Sequence, residues 1–92
     1  MVTDDNPRSE DPASIRAQVL AGARAAGGAA VVVEVGDRRA AIEQALTFVS
    51  GPDDSVLVAG KGHEDYQIIG SQRRVFSDAA VVLQVLAARA RP

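Results

Sequence analysis

The sequence holds no cysteine and no tryptophan, and among its 92 residues there are one tyrosine, two phenylalanines, one histidine and one lysine. The missing cysteines exclude a disulfide framework, a thiolate metal centre and a cysteine nucleophile together. With Phe48, Tyr66 and Phe76 as the only aromatics, the core is expected to be aliphatic, built from Val, Leu, Ile and Ala. No apolar run approaches the roughly 18 residues of a membrane-spanning helix, and the first residues lack the basic-then-apolar layout of a secretory signal. Neither sign of charge dominates: ten basic residues face twelve acidic ones, for a net charge of −2. That balance gives no electrostatic reason to bind nucleic acid or an anionic membrane. These absences predict a soluble, cytoplasmic chain with neither as a partner. A hydrophobic content of 47% against 24% charged residues excludes a disordered tail. The length allows one small domain, or part of one.

Local signals divide the chain into alternating elements. Met1-Val2-Thr3 is an apolar stub that runs at once into turn residues, Asp4-Asp5-Asn6-Pro7-Arg8. It reads either as the end of a strand or as a frayed terminus. Asp11-Pro12 opens a helix with an N-cap and a proline in its first turn. Ile15, Val19, Leu20, Ala23 and Ala26 follow its period, and Gly27-Gly28 stops it. Val31 to Val35 is a β-branched run of the kind buried on both faces of a parallel sheet. A second helix is expected after Gly36-Asp37, with Ile42, Ala45, Leu46 and Val49 on one face and Gly51-Pro52 as its end. Val56 to Ala59 forms the next buried strand. Tyr66 to Ile69 and Arg73 to Phe76, across Gly70-Ser71, make a hairpin, and Ser77-Asp78 caps a last helix that runs to about Arg89. Strands alternating with helices imply an α/β layered fold with a mostly parallel sheet and right-handed crossovers.

Ligands of such sheets bind beyond the carboxyl ends of the strands. Two polar loops leave such ends, Asp4 to Arg8 and Gly60-Lys61-Gly62-His63-Glu64, and they are expected to converge on one ligand. The paired glycines permit positive φ and expose backbone N–H donors. Gly60 to Glu64 is not a G-x-x-x-x-G-K-[ST] phosphate loop, a zinc-protease helix or a dinucleotide fingerprint. Arg8 offers a planar fork for a carboxylate or phosphate, Asn6 adds a neutral donor and acceptor, and Glu64 complements an amine. Together they suit a zwitterionic amino-acid head group. The plainer alternatives are an Asx turn leading into the first helix and a glycine-rich bend with solvated charges. His63 reads as a loop hydrogen-bonding residue rather than an acid–base group. Asp53-Asp54 and Arg38-Arg39 read as solvated ends of helices and turns, and Arg73-Arg74 as part of an exposed hairpin. No catalytic or metal-ligating residue is assigned.

Thr3-Asp4-Asp5-Asn6-Pro7-Arg8, Ala59-Gly60-Lys61-Gly62-His63-Glu64-Asp65-Tyr66-Gln67 and Phe76-Ser77-Asp78, in this order and spacing, closely resemble the C-terminal region of the meso-diaminopimelate-adding branch of the Mur ligases, the UDP-N-acetylmuramoyl-tripeptide synthetases. The resemblance spans essentially the whole chain. It implies a Rossmann-like C-terminal domain, here incomplete and occupying residues 1–92, which supplies the amino-acid pocket of an ATP-dependent ligase of peptidoglycan synthesis. In that family the D-glutamate carboxylate of UDP-MurNAc-L-Ala-D-Glu is activated as an acyl phosphate, and the amine of the diamino acid attacks it. Carried over by position, Asn6 and Arg8 hold the distal carboxylate of meso-diaminopimelate, while the Gly60 backbone and Glu64 meet its distal carboxylate and amine. Asp5, Pro7, Lys61, Gly62 and His63 support the pocket. ATP and Mg2+ are the cofactors of the intact enzymes, bound mainly outside these residues. The central and N-terminal Mur ligase domains are the expected partners, and the chain alone is expected to be inactive. The competing expectation is a stand-alone binding module for an amino acid or anion, without catalysis.

Overall fold

The computed structural model describes residues 1–28 and 30–89. It is a small α/β structure in the order α1 (Pro12–Ala25), α2 (Arg38–Thr47), β1 (Tyr66–Ile69), β2 (Gln72–Val75) and α3 (Asp78–Arg89). α1 begins where its capping chemistry dictates: Asp11 is the N-cap, its carboxylate accepts from the Ala13 N–H, and Pro12 follows. Gly27 and Gly28, both at positive φ, lie just beyond its end. Only Leu20 of the expected apolar face is buried, and Val19 is exposed. α3 starts at the expected Ser77, whose Oγ accepts from the Ala80 N–H.

α2 and α3 pack on one another through Ile42, Leu46, Val81 and Val85, with Val56, Val58, Phe76 and Val82 against them. The core is aliphatic with one aromatic at its margin, as the composition requires. Arg89 of α3 donates to the Leu46 carbonyl at 2.7 Å and so caps the C-terminus of α2. α2 ends at Thr47 rather than at Gly51-Pro52. Asp54 Oδ2 collects the Ser50 N–H, the Ser50 hydroxyl and the Gly51 N–H, so those backbone donors turn towards a carboxylate instead of extending the helix. Val49 is left partly exposed outside the helix.

The expected hairpin is present: Tyr66 pairs with Val75 and Ile69 with Gln72 in an antiparallel ladder. Gly70, at φ 61°, takes the first central position of its two-residue turn, which favours glycine. The expected parallel sheet is realised only in part. Val2 forms an isolated parallel bridge to Glu34, through Val2 N–H to Val33 O at 2.8 Å and Val35 N–H to Val2 O at 2.9 Å. Met1-Val2-Thr3 therefore behaves as a short strand end, not as a frayed terminus. Residues 31–35 otherwise make no ladder among the described residues, and 56–59 join no neighbouring segment by backbone hydrogen bonds. Val31 is 85% and Leu57 90% exposed. A β-branched run specifies extended backbone, but burial on both faces also needs flanking strands and covering helices. No helix among the described residues is long and apolar enough to cross a membrane.

Candidate functional site

The two polar loops, more than fifty residues apart in sequence, are joined by a buried lysine. Lys61 has a fully enclosed side chain, and its Nζ donates to Asp5 Oδ1 at 2.7 Å and to the Tyr66 carbonyl at 2.6 Å. One ammonium thus ties the first loop, the glycine loop and the start of β1 together. Arg38 makes a second junction. It is 3% exposed, pairs in bidentate fashion with Asp78 at 2.7 Å, and donates to the Asp4 and Ala59 carbonyls at 3.1 Å. Its pKa is raised, chiefly by the hydrogen bond to Asp78 and against the cost of burial, with Asp78 and Asp5 adding attraction. The sequence reading of Arg38 as a solvated helix end is therefore corrected. It buries itself because carbonyls from two loop starts and a carboxylate from α3 satisfy its fork.

The segment Asn6-Pro7-Arg8 lies along the free edge of β1 as a third, parallel rung. Asn6 Oδ1 accepts from the Ile68 N–H at 2.8 Å, Arg8 N–H donates to Ile68 O at 3.1 Å, and Arg8 O accepts from the Gly70 N–H. Pro7 is buried beneath. The edge of the hairpin is thereby covered rather than left open. Arg8 holds φ at 55°, the sole positive value among the described non-glycine residues. Strain of this kind costs about 1 kcal/mol and concentrates at functional positions.

With its backbone so fixed, Arg8 keeps an exposed guanidinium that has no hydrogen bond or ion pair among the described residues. The Asn6 amide nitrogen also stays uncommitted there. Glu64 is half-buried, and its Oε2 accepts from the Tyr66 hydroxyl at 2.9 Å. Arg73 stacks on the Tyr66 ring with its guanidinium carbon 4.1 Å from the centroid. The Tyr66 phenol is raised above its ordinary value of 10.0, first by the hydrogen bond to Glu64 and then by that carboxylate's charge, while the charges of Arg73 and Arg8 oppose the rise. Arg8, Arg73, Tyr66 and Glu64 therefore form one electrostatic group on the hairpin.

Gly60, at φ 116°, sits beside the Lys61 junction, where a Cβ would lie 3.6 Å from Asp5 Oδ2 and 4.0 Å from Arg38 Nη2. Gly62, at φ 58°, allows the tight turn that Glu64 closes by donating its N–H to Lys61 O. His63 is exposed and makes no hydrogen bond among the described residues. Asp5, Pro7, Lys61 and Gly62 thus shape the loops. A cleft of roughly 280 Å3 is lined by Thr3 to Pro7, Ile15 and Val19, and one of roughly 270 Å3 includes Asp5, Arg38 and Gly60. Arg8 and Glu64 line neither of these, so the charged group forms an open rim rather than a closed cavity.

Two residues that matter here escaped the sequence reading. Arg73 was legible in principle, because the two-residue turn fixes the register and puts it diagonally opposite Tyr66. Arg38 carries no such local signal. Lys61 is enclosed and already bound to Asp5 and the Tyr66 carbonyl, so its ammonium is not free to meet a phosphate. Among the described residues no three His, Asp or Glu side chains gather as metal ligands.

Residues 1–62 match the family model of the Mur ligase, glutamate ligase domain. The chain belongs to the Mur ligase family. It is 51% identical over 89 residues to the UDP-N-acetylmuramoyl-L-alanyl-D-glutamate–2,6-diaminopimelate ligase of Brucella melitensis biotype 1, which takes in 97% of this chain. It is 55% identical over 86 residues (94% of the chain) to the ligase of that name from Caulobacter vibrioides. The Synechococcus elongatus ligase of that name is 51% identical over 89 residues, or 97% of the chain. The chain spans only 16–17% of the length of these relatives.

Proposed function

We propose that this chain is the amino-acid-recognition part of an ATP-dependent ligase that joins meso-diaminopimelate to UDP-MurNAc-L-Ala-D-Glu during peptidoglycan synthesis. The observation that carries the reading is the division of labour at the two loops. Lys61 and Arg38 use their donors to hold the loops together, and Arg8, the Asn6 amide nitrogen and the free Glu64 oxygen remain for a ligand. A fork and an amide suit the distal carboxylate of the diamino acid, with the Gly60 backbone beside them, and Glu64 suits its distal amine. Lysine lacks that carboxylate and would leave the Arg8 fork without a ligand partner. The names of the relatives point to the same diamino acid.

The finer fold reading belongs to the same proposal. Residues 1–3 would lie between residues 31–35 and 56–59 in a Rossmann-like parallel layer. The Val2–Glu34 bridge supports one side of that order. The shared cleft of roughly 90 Å3 lined by Met1, Thr3 and residues 56–59 supports the other. The chain alone would carry recognition and not ligation, because it has neither the G-x-x-x-x-G-K-[ST] loop nor a free lysine for phosphoryl transfer. ATP, Mg2+ and the dipeptide substrate would meet other parts of a ligase of the relatives' length.

Arg8→Ala, introduced at the matching position of the Caulobacter vibrioides ligase, should raise KM for diaminopimelate at least about tenfold while leaving KM for ATP unchanged. Arg8→Lys should fare little better, since an ammonium cannot form the fork. Equal effects on both substrates would sink the assignment.

A further inference from the structure

We propose that Tyr66 is the positioning residue of this site, orienting the Glu64 carboxylate towards a ligand amine, and that Arg73 holds the Tyr66 ring in place. The inference rests on the proposed amino-acid site and adds to it the means by which a loop carboxylate is held in one geometry. A half-buried glutamate on a glycine-rich loop has several open rotamers, and fixing it at the moment of binding would cost affinity. Here the Tyr66 hydroxyl donates to Oε2 at 2.9 Å, which leaves Oε1 without a partner among the described residues. One oxygen is thus anchored and the other is presented.

The anchor is itself braced. Tyr66 sits on β1, whose carbonyl at that residue is gripped by Lys61, so its backbone is fixed to both loops. Its ring is covered by Arg73, which the hairpin register places on the same face, two residues from the Tyr66–Val75 pair. A guanidinium 4.1 Å from the ring centroid gives a cation–π contact. Arg8 is near enough for its charge to act on the same phenol. A ligand amine would therefore meet a carboxylate held through one braced aromatic ring.

Tyr66 is the only tyrosine and tryptophan is absent, so phenolate absorbance during an alkaline titration reads this residue alone. In the free chain Glu64→Gln should bring the Tyr66 pKa down towards its ordinary value, and Arg73→Ala should raise it further. An unmoved titration in Glu64→Gln overturns the pairing without any ligand.

The role is tested by calorimetric titration of the 92-residue chain with meso-diaminopimelate and with 2-aminopimelate, which keeps the distal carboxylate and lacks the distal amine. Tyr66→Phe retains the ring and its Arg73 contact. It should weaken meso-diaminopimelate about tenfold and leave 2-aminopimelate within about twofold. Equal weakening of both, or of neither, overturns the positioning role and leaves the site assignment standing. An unsubstituted chain that binds both ligands equally, or binds neither, removes the amine subsite and this inference with it. Arg73→Lys, which keeps the charge, should preserve most of the discrimination that Arg73→Ala loses.

Discussion

Two pairs of cations in this chain lead opposite lives. Arg38 and Lys61 point inward, and Arg38 is bound to Asp78 and two carbonyls as Lys61 is to Asp5 and one carbonyl. Arg8 and Arg73 lie on the exposed hairpin rim, where one guanidinium has no partner among the described residues and the other rests on a ring. The inner pair closes the junction between the two loops with charge rather than with apolar area. The outer pair shows what remains available once that junction is made. A cation fully satisfied by its own protein has little to offer a ligand. One with its donors unused is available to a ligand, which is the role proposed for Arg8.

The contrast breaks most visibly at Arg38. Arg38→Met would strand the Asp78 carboxylate and orphan the Asp4 and Ala59 carbonyls in partly buried surroundings, a loss of roughly 3 kcal/mol. Urea denaturation followed by circular dichroism should show it, and a loss no larger than that of Arg8→Ala would end the comparison. Lys61→Met comes next, at about 2 kcal/mol, because the Asp5 carboxylate it leaves is partly exposed and regains some hydration. Arg8→Ala should change stability by no more than about 0.5 kcal/mol while abolishing most ligand affinity, since alanine inherits the same backbone and loses only an unused fork.

What the sequence disclosed follows the range of the forces involved. Asp11-Pro12, Ser77 and Gly70-Ser71 act on groups two to four residues away, so the starts of α1 and α3 and the hairpin were legible. The paired loops were legible as chemistry, because Asn6, Arg8, Gly60 and Glu64 cluster at element ends. Arg38 was not, since its partners stand 21 to 40 residues distant and nothing adjacent marks it for burial. The runs 31–35 and 56–59 announce extended backbone through β-branching, but a ladder is a property of neighbours, and only Val2 supplies one by hydrogen bonding. α2 is shorter than the periodicity of Ile42, Ala45, Leu46 and Val49 implies, because periodicity carries no trace of the Asp54 carboxylate that takes the Ser50 and Gly51 donors.

That carboxylate makes the smallest and most specific prediction. Asp54 is solvent-exposed, and its pKa is held below the ordinary 3.8 chiefly by the Ser50 backbone and hydroxyl, against a desolvation cost and with the Gly51 N–H adding a lesser pull. A depressed folded-state pKa means that the folded chain binds this proton less readily than the unfolded chain. Its stabilisation is therefore present above the unfolded value and is lost as pH falls through the folded one. Asp54→Asn keeps an acceptor but removes the charge. The variant should melt below the parent at about pH 6, and the gap should narrow as pH falls through the depressed folded-state value and the parent carboxylate becomes neutral too. A gap that stays constant across that range would mean that Asp54 shapes the end of α2 by geometry alone. A gap that narrows would give the fold an acid-sensitive clasp at the end of α2, apart from both the Arg38–Lys61 junction and the Arg8–Arg73 rim.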